Sequence, residues 1–303
     1  MKKDISIVFG IIFGFFTLWP GCFAMALAPA SVPLQTEAEQ RIRERRTPVM
    51  ILHGIKTIEQ AEGAVSSGKT FLEVDAQMTR DGRLVSVWGP VETASGKKRV
   101  SDLTKEEVDL ALGYSVLDLE ELFALVKGKG VALLLDTKDW DRDVPGYTEK
   151  YIETLRALIE KYQMQDLIVC SAFNDYPSRL KAVSPRIVSG TSIHEGEPVD
   201  EVLEKYLETL SVSQNVALGV PTKQLTPDVV KRIHSAGGLV MALWSSLDPS
   251  LISQTDFLLV EEEEWEAASG ILTKEVSKPL MTPLMVLWLV AIRLIRRHFL
   301  KEA

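Results

Sequence analysis

Disulfides do not shape this chain. Its 303 residues include two cysteines, Cys22 and Cys170, and Cys22 falls in an apolar N-terminal stretch. One thiol is left for the folded part, so stability must rest on a packed core. Positive charge is also scarce. Thirty-four Lys and Arg stand against forty-two Asp and Glu, a net charge of -8. That balance excludes a nucleic-acid surface, which needs clustered basic side chains to neutralise phosphates. A glycine-rich phosphate loop, zinc-ligand spacing and a Ser-His-Asp signature are absent. Disorder-type bias is missing too: 46% hydrophobic and 25% charged residues are values for a folded protein of one large or two ordinary domains.

The termini carry the longest apolar runs. Lys2 and Lys3 precede a largely apolar stretch from Ile5 to Trp19, followed by small residues at Ala24-Met25-Ala26 and Ala28-Pro29-Ala30. This is the pattern of a signal peptide, and an uncleaved anchor fits residues 1–30 equally. Gly21-Cys22 has the outline of a lipoprotein cleavage site, but Trp19 and Pro20 are ill suited to precede it. Residues 31–47 form a charged linker. At the other end, residues 279–297 combine an apolar run, Leu280 to Ile292, with a basic flank at Arg293, Arg296, Arg297 and Lys301. A tilted transmembrane helix or an interfacial helix is expected there, with the basic flank on the cytoplasmic side. Together the ends imply an exported protein at the periplasmic face of the inner membrane, with the membrane as partner.

Between them, residues 48–270 alternate. Strand-like runs occur at Val49–Leu52, Phe71–Ala76, Leu84–Trp88, Val131–Leu135, Leu167–Ser171, Arg186–Thr191, Val212–Leu218, Leu239–Trp244 and Phe257–Val260. Helical patterns lie at Ile58–Ser66, Leu117–Val126, Thr148–Tyr162, Val199–Leu210 and Pro227–Ser235. Thr226-Pro227 is a helix start and Gly237-Gly238 a stop. Alternation over this length predicts an α/β fold with a parallel sheet, and eight units close a (β/α)8 TIM barrel. The ninth run follows an Asp81-Gly82 turn and is expected to fold back as an extra strand.

Several runs end in residues that can do chemistry. Val49–Leu52 ends at His53, Thr70–Leu72 runs into Glu73-Val74-Asp75, and Val131–Leu135 ends at Asp136-Thr137-Lys138. Barrel active sites gather at the C-terminal ends of strands. Glu73 and Asp75 are two apart, so they share a strand face. Converging carboxylates call for a hard cation, Mg²⁺ or Ca²⁺, which would stabilise phosphoryl charge. His53 can move protons and Lys138 can bind a phosphate oxygen. Each residue alone also has an ordinary role, as a structural hydrogen-bonder, a solvated acidic pair or a helix lead-in. Their shared position at strand ends favours a site.

At these residues the chain resembles the glycerophosphodiester phosphodiesterase family, within the PLC-like phosphodiesterase superfamily. The matching pieces are the His of ILHGIK, LEVDAQMTRDGRLVSV, RVSDLTKEEVDLA, LDLEELFALVKGKGVALLLDTK, CSAFND and GGLVMALWSSLDP. They run in family order from His53 to Glu264, about two thirds of the chain. The resemblance implies the barrel and metal-dependent cleavage of phosphodiesters. It matches Glu73, Asp75 and Asp136 to the metal ligands, with aspartate at 136 where glutamate is usual. It matches His53 to the first catalytic histidine and Lys138 to the lysine after the third ligand. Trp244 matches a tryptophan that could line the pocket.

Departures accompany it. Gly54 stands where the family has arginine, with Lys56 a candidate substitute cation. The Pro-Glu-Asn stretch before the first helix is missing. Trp88-Gly89 replaces the second His-Asp pair, and a tryptophan cannot protonate a leaving alkoxide. Losing that histidine costs roughly 10²- to 10⁴-fold unless another group replaces it. His194, in a later loop, is the candidate, ahead of His234 at a helix end. Lys56, Trp88, Trp244 and His194 are thus the candidate substrate-binding residues. Glu261 begins a run of four glutamates read as a solvated helix start rather than a ligand. Two functions remain open: a phosphoric diester hydrolase for glycerophosphodiesters or phospholipid head groups, or a catalytically impaired barrel serving as a membrane-tethered phosphate- or lipid-binding scaffold.

Overall fold

The computed structural model describes residue 42 and residues 48–213, 215–243 and 249–276. Both terminal apolar segments, nearly all of the charged linker, and Trp244 lie outside the described residues. In chain order the elements are β1 (Val49–Leu52), α1 (Ile58–Ser66), β2 (Phe71–Met78), β3 (Leu84–Ser86), β4 (Val91–Thr93), β5 (Gly96–Lys98), α2 (Lys105–Leu112), α3 (Leu119–Val126), β6 (Ala132–Thr137), α4 (Tyr147–Tyr162), β7 (Ile168–Ala172), α5 (Tyr176–Val183), β8 (Val188–Ser192), α6 (Val199–Ser213), β9 (Asn215–Pro221), α7 (Pro227–Ser235), β10 (Leu239–Leu243), α8 (Pro249–Ile252), β11 (Phe257–Val260) and α9 (Trp265–Val276).

The strands are apolar on both faces, so each needs cover on both sides. A closed barrel supplies it. Eight parallel strands follow one another in the order β1, β2, β6, β7, β8, β9, β10 and β11, and β1 closes the ring by pairing with both β11 and β2. Side chains alternate along each strand. Ile51, Phe71, Leu134, Val169, Val188, Ala217, Met241 and Leu259 meet in one cluster that fills the lumen. The intervening residues, Leu52, Leu72, Val74, Leu133, Leu135 and Cys170 among them, pack outward under helices. Gly190 and Gly219 are required where strands crowd: a Cβ on Gly190 would stand 2.6 Å from the Ala217 carbonyl oxygen, and one on Gly219 2.4 Å from Ser192 Oγ.

The expected extra strand is present. β3 pairs antiparallel with β2, Ala76 opposite Ser86 and Met78 opposite Leu84, through a turn in which Gly82 has φ +82°. Two expectations need correction. Trp88 lies beyond β3 rather than inside it, because the chain turns away after Ser86. Val212 and Ser213 belong to α6, whose helical pattern continues to the start of β9. The β4–β5 hairpin and helices α2, α5 and α8 were not anticipated, whereas the helix start read at the glutamate run is present, Glu262–Glu264 forming a 3-10 turn that leads into α9. For α2 the signal was there: Thr104 and Glu107 form a reciprocal capping box.

β2 carries strands on either side and needs further support where they diverge. Two tyrosines of α4 provide it. The Met78 amide donates to Tyr147 Oη at 3.0 Å, and Tyr151 Oη donates to the Ala76 carbonyl at 2.8 Å. The rings stack with centroids 5.7 Å apart. Tyr147→Phe should strand the Met78 amide and cost about 1–2 kcal/mol, read as a lower denaturant midpoint with an unchanged m-value.

Candidate active site

The polar residues at the mouth continue the faces that fill the lumen. Ile51 leads to His53, Phe71 to Glu73 and Asp75, Leu134 to Asp136, and Leu259 to Glu261. Period-two alternation thus projects the apolar plug upward into a polar layer. In the β2–β6 register Asp75 stands directly opposite Asp136.

Glu73, Asp75 and Asp136 each offer a carboxylate oxygen within 4.8 Å of the others. Glu73 is 1% exposed. Burial, then the Asp75 and Asp136 charges, raises its pKa well above the usual carboxylate range, against a bond from the Gly54 amide and the charge of Lys138. That amide donates to Glu73 Oε2 at 2.8 Å, from a glycine with φ +74°. A side chain at position 54 would adopt this left-handed backbone only with strain. Burial also raises the Asp136 pKa, with Lys138 opposing and Asp75 adding. Lys138 Nζ lies 2.7 Å from Asp75 Oδ1 and 2.6 Å from Asp136 Oδ2. Burial alone would lower its pKa; the Asp136 and Asp75 charges outweigh that and raise it, so it stays an ammonium. Asp136 Oδ1 is buried without a hydrogen-bond partner among the described residues. Crowded hard oxygen donors and an orphaned carboxylate oxygen fit a divalent cation.

His53 is placed by the seam where the barrel closes. Its amide donates to the Val260 carbonyl at 3.0 Å, and Nδ1 lies 2.6 Å from Glu261 Oε1. Nε2 is 3.8 Å from Glu73 Oε2. Glu261 thus joins the candidate site, whereas the sequence reading took it only as part of a solvated helix start. The signal was Phe257-x-Leu259-x-Glu261, the same face as the lumen.

The other candidates sit further out. Lys56 is exposed, its amide bonded to Gln60 Oε1 at the start of α1. His194 is exposed and stacks on Phe173, centroids 3.7 Å apart. His234 pairs with Asp256 at 2.8 Å, a structural contact at the end of α7. Trp88 is exposed, one residue after Val87, whose amide donates to the Asp75 carbonyl at 2.8 Å. Its loop is held by Gln77, whose amide donates to the carbonyls of Val87 at 2.7 Å and Gly89 at 3.3 Å, while Trp140 Nε1 donates to the Trp88 carbonyl at 2.9 Å. Asn174, within the CSAFND stretch, donates to the Thr137 carbonyl at 2.8 Å and steadies the end of β6.

These features define a (β/α)8-barrel protein with a candidate metal centre at the C-terminal ends of its strands. The chain belongs to the glycerophosphoryl diester phosphodiesterase family, whose profile matches residues 53–267. A glycerophosphodiester phosphodiesterase of Caldanaerobacter subterraneus subsp. tengcongensis is 28% identical over 147 residues, which is 44% of this chain and 59% of that relative. The chain thus aligns with less than two thirds of that relative's length. Among solved structures, a glycerophosphodiester phosphodiesterase from Parabacteroides distasonis superposes with a TM-score of 0.62 at 19% identity, covering 77% of this chain and all of that one. An Oleispira antarctica phosphodiesterase in complex with the product sn-glycerol-3-phosphate gives 0.57 at 20% identity, covering 74% and 97%. Both likenesses establish the fold.

Divalent cation binding is directly measurable. Mg²⁺ or Ca²⁺ at about a hundred times its Kd should stabilise the chain by about 2.7 kcal/mol. Asp75→Asn should abolish that increment in a thermal melt; an equal increment in the variant would remove Asp75 from the ligand set.

Proposed function

We propose that the protein is a divalent-metal-dependent phosphoric diester hydrolase acting on glycerophosphodiesters or phospholipid head groups. Family membership and the product complex of the Oleispira antarctica neighbour support the reaction class. The observation that carries the reading is the mouth itself, where the carboxylate trio, Lys138 and His53 converge. Glu73, Asp75 and Asp136 would hold the cation, which supplies positive charge for the non-bridging phosphoryl oxygens. Lys138 adds a second, fixed positive charge beside them. Glu261 accepts the Nδ1 hydrogen of His53, so Nε2 carries the lone pair and faces the site as a general base. Nε2 takes a proton from the attacking water as its oxygen bonds to phosphorus and the P–O bond to the leaving alcohol breaks. Trp88, where the family has a histidine, has no proton to give the leaving oxygen, so that proton comes from another group.

Location belongs to the same proposal: an exported protein at the periplasmic face of the inner membrane, on the strength of its terminal sequence segments. Among the described residues no helix is long and apolar enough to cross a membrane.

The test is alcohol release from glycerophosphocholine, glycerophosphoethanolamine and a lysophospholipid by the full chain, with Mg²⁺, Ca²⁺ or chelator. Metal-dependent turnover is expected, reduced about 10²- to 10⁴-fold in His53→Ala. Glu261→Gln should lower kcat about 10²-fold through misplacement of the imidazole, with KM nearly unchanged. Metal binding without turnover on any substrate would instead leave a phosphate-binding barrel.

A further inference from the structure

Among the described residues two tryptophans are exposed, Trp88 at 68% and Trp140 at 46%, and they touch each other. Large aromatic rings are ordinarily buried or engaged. Both of these stand at the mouth of the barrel. Trp88 follows Val87, whose amide donates to the Asp75 carbonyl at 2.8 Å. Trp140 follows Lys138 with only Asp139 between, and Lys138 bridges Asp75 and Asp136.

The pair is held firmly. Three successive carbonyls, those of Val87, Trp88 and Gly89, each accept a side-chain N–H, from Gln77, Trp140 and Gln77 respectively. Gly89 lies against the Trp140 ring, where an added Cβ would be 3.9 Å from it. The ring centroids are 6.1 Å apart with planes at 69°, edge to face. That arrangement makes a corner with one indole face as each wall. Indole faces attract cations through the ring quadrupole. No cation of the chain is found there: among the described residues the cation–π contacts are Lys69 on Trp265 and Lys127 and Lys161 on Tyr162.

We infer that the Trp88–Trp140 corner is a subsite for a quaternary ammonium group carried by the alcohol portion of the phosphodiester. The inference rests on the proposed phosphodiesterase reading and names its substrate class. A choline ester carries its nitrogen a short ethylene link from the ester oxygen, so a phosphate beside Lys138 and the trio brings the cation toward the adjoining rim. A quaternary ammonium is weakly hydrated and gains from two aromatic walls. A primary ammonium is strongly hydrated and gains less, and a glycerol alcohol has no charge to place.

The experiment is a competition assay of the full chain on glycerophosphocholine and glycerophosphoglycerol, which reads the ratio of their kcat/KM values. Trp88→Leu and Trp140→Leu should each lower the choline-to-glycerol ratio about tenfold. Trp88→Phe, which keeps an aromatic wall, should lower it less. Trp88→Leu is the safer variant for folding, because its ring is mostly in solvent and the bonds that hold its loop use its backbone. An unchanged ratio in both leucine variants overturns the inference. If the chain cleaves no phosphodiester, the proposed function fails separately, and the corner is read by saturation-transfer NMR with tetramethylammonium. Binding weakened in Trp88→Leu supports the subsite; equal binding overturns it. Loss of binding to phosphatidylglycerol vesicles in the leucine variants, with the substrate ratio unchanged, assigns the pair to a lipid surface and also overturns it.

Discussion

Three like charges held within reach of a single cation are the constraint around which the mouth of this barrel is built. Parallel pairing of β2 with β6 sets Asp75 opposite Asp136, and Glu73 lies on the same face one step lower. Like charges in such register repel. The chain opposes the repulsion with what lies nearest. Lys138 shares the face of Asp136 and spans both aspartates. Gly54 turns an amide onto Glu73. Among the described residues Asp136 Oδ1 is left without a partner, so their groups compensate the carboxylates only in part. This residual excess of negative charge is what makes the cluster read as a cation site rather than a structural ion pair.

The histidine depends on a different constraint, closure. His53 ends the first strand and Glu261 follows the last, 208 positions away. Their contact exists only when β1 pairs with β11, as Val49 to Leu52 do with Phe257 to Val260. Placing the imidazole therefore requires the entire ring, a long-range contact that carries a large loop-closure entropy. The carboxylate trio needs only the neighbouring β2 and β6.

That difference explains what could be read from the sequence. Glu73, Asp75, Asp136 and Lys138 lie on adjacent strands of clear pattern, and strand-end position was enough to group them. The eight-strand alternation and the fold-back after Asp81-Gly82 were legible for the same reason: period two and turn chemistry are local. Glu261 was not, because its partner is remote and its neighbours Glu262, Glu263 and Glu264 look like a solvated run. Helix α2 has a weak apolar stripe, with Val108 its one buried residue. The β4–β5 hairpin is short, and Gly96, Lys97 and Lys98 are all exposed. Periodicity carries little signal where so little is buried.

The filled lumen has a consequence for traffic. Ile51, Phe71, Leu134, Met241, Phe257 and Leu259 close the barrel beneath the polar layer, with Phe71 and Phe257 packed edge to face at 6.1 Å. The site is a cup with a solid floor. A molecule cannot pass through it, so in the proposed reaction the phosphorylated fragment and the released alcohol would leave across the same rim by which the ester arrives. Entry and exit compete for one opening, and residence of either product delays the next encounter.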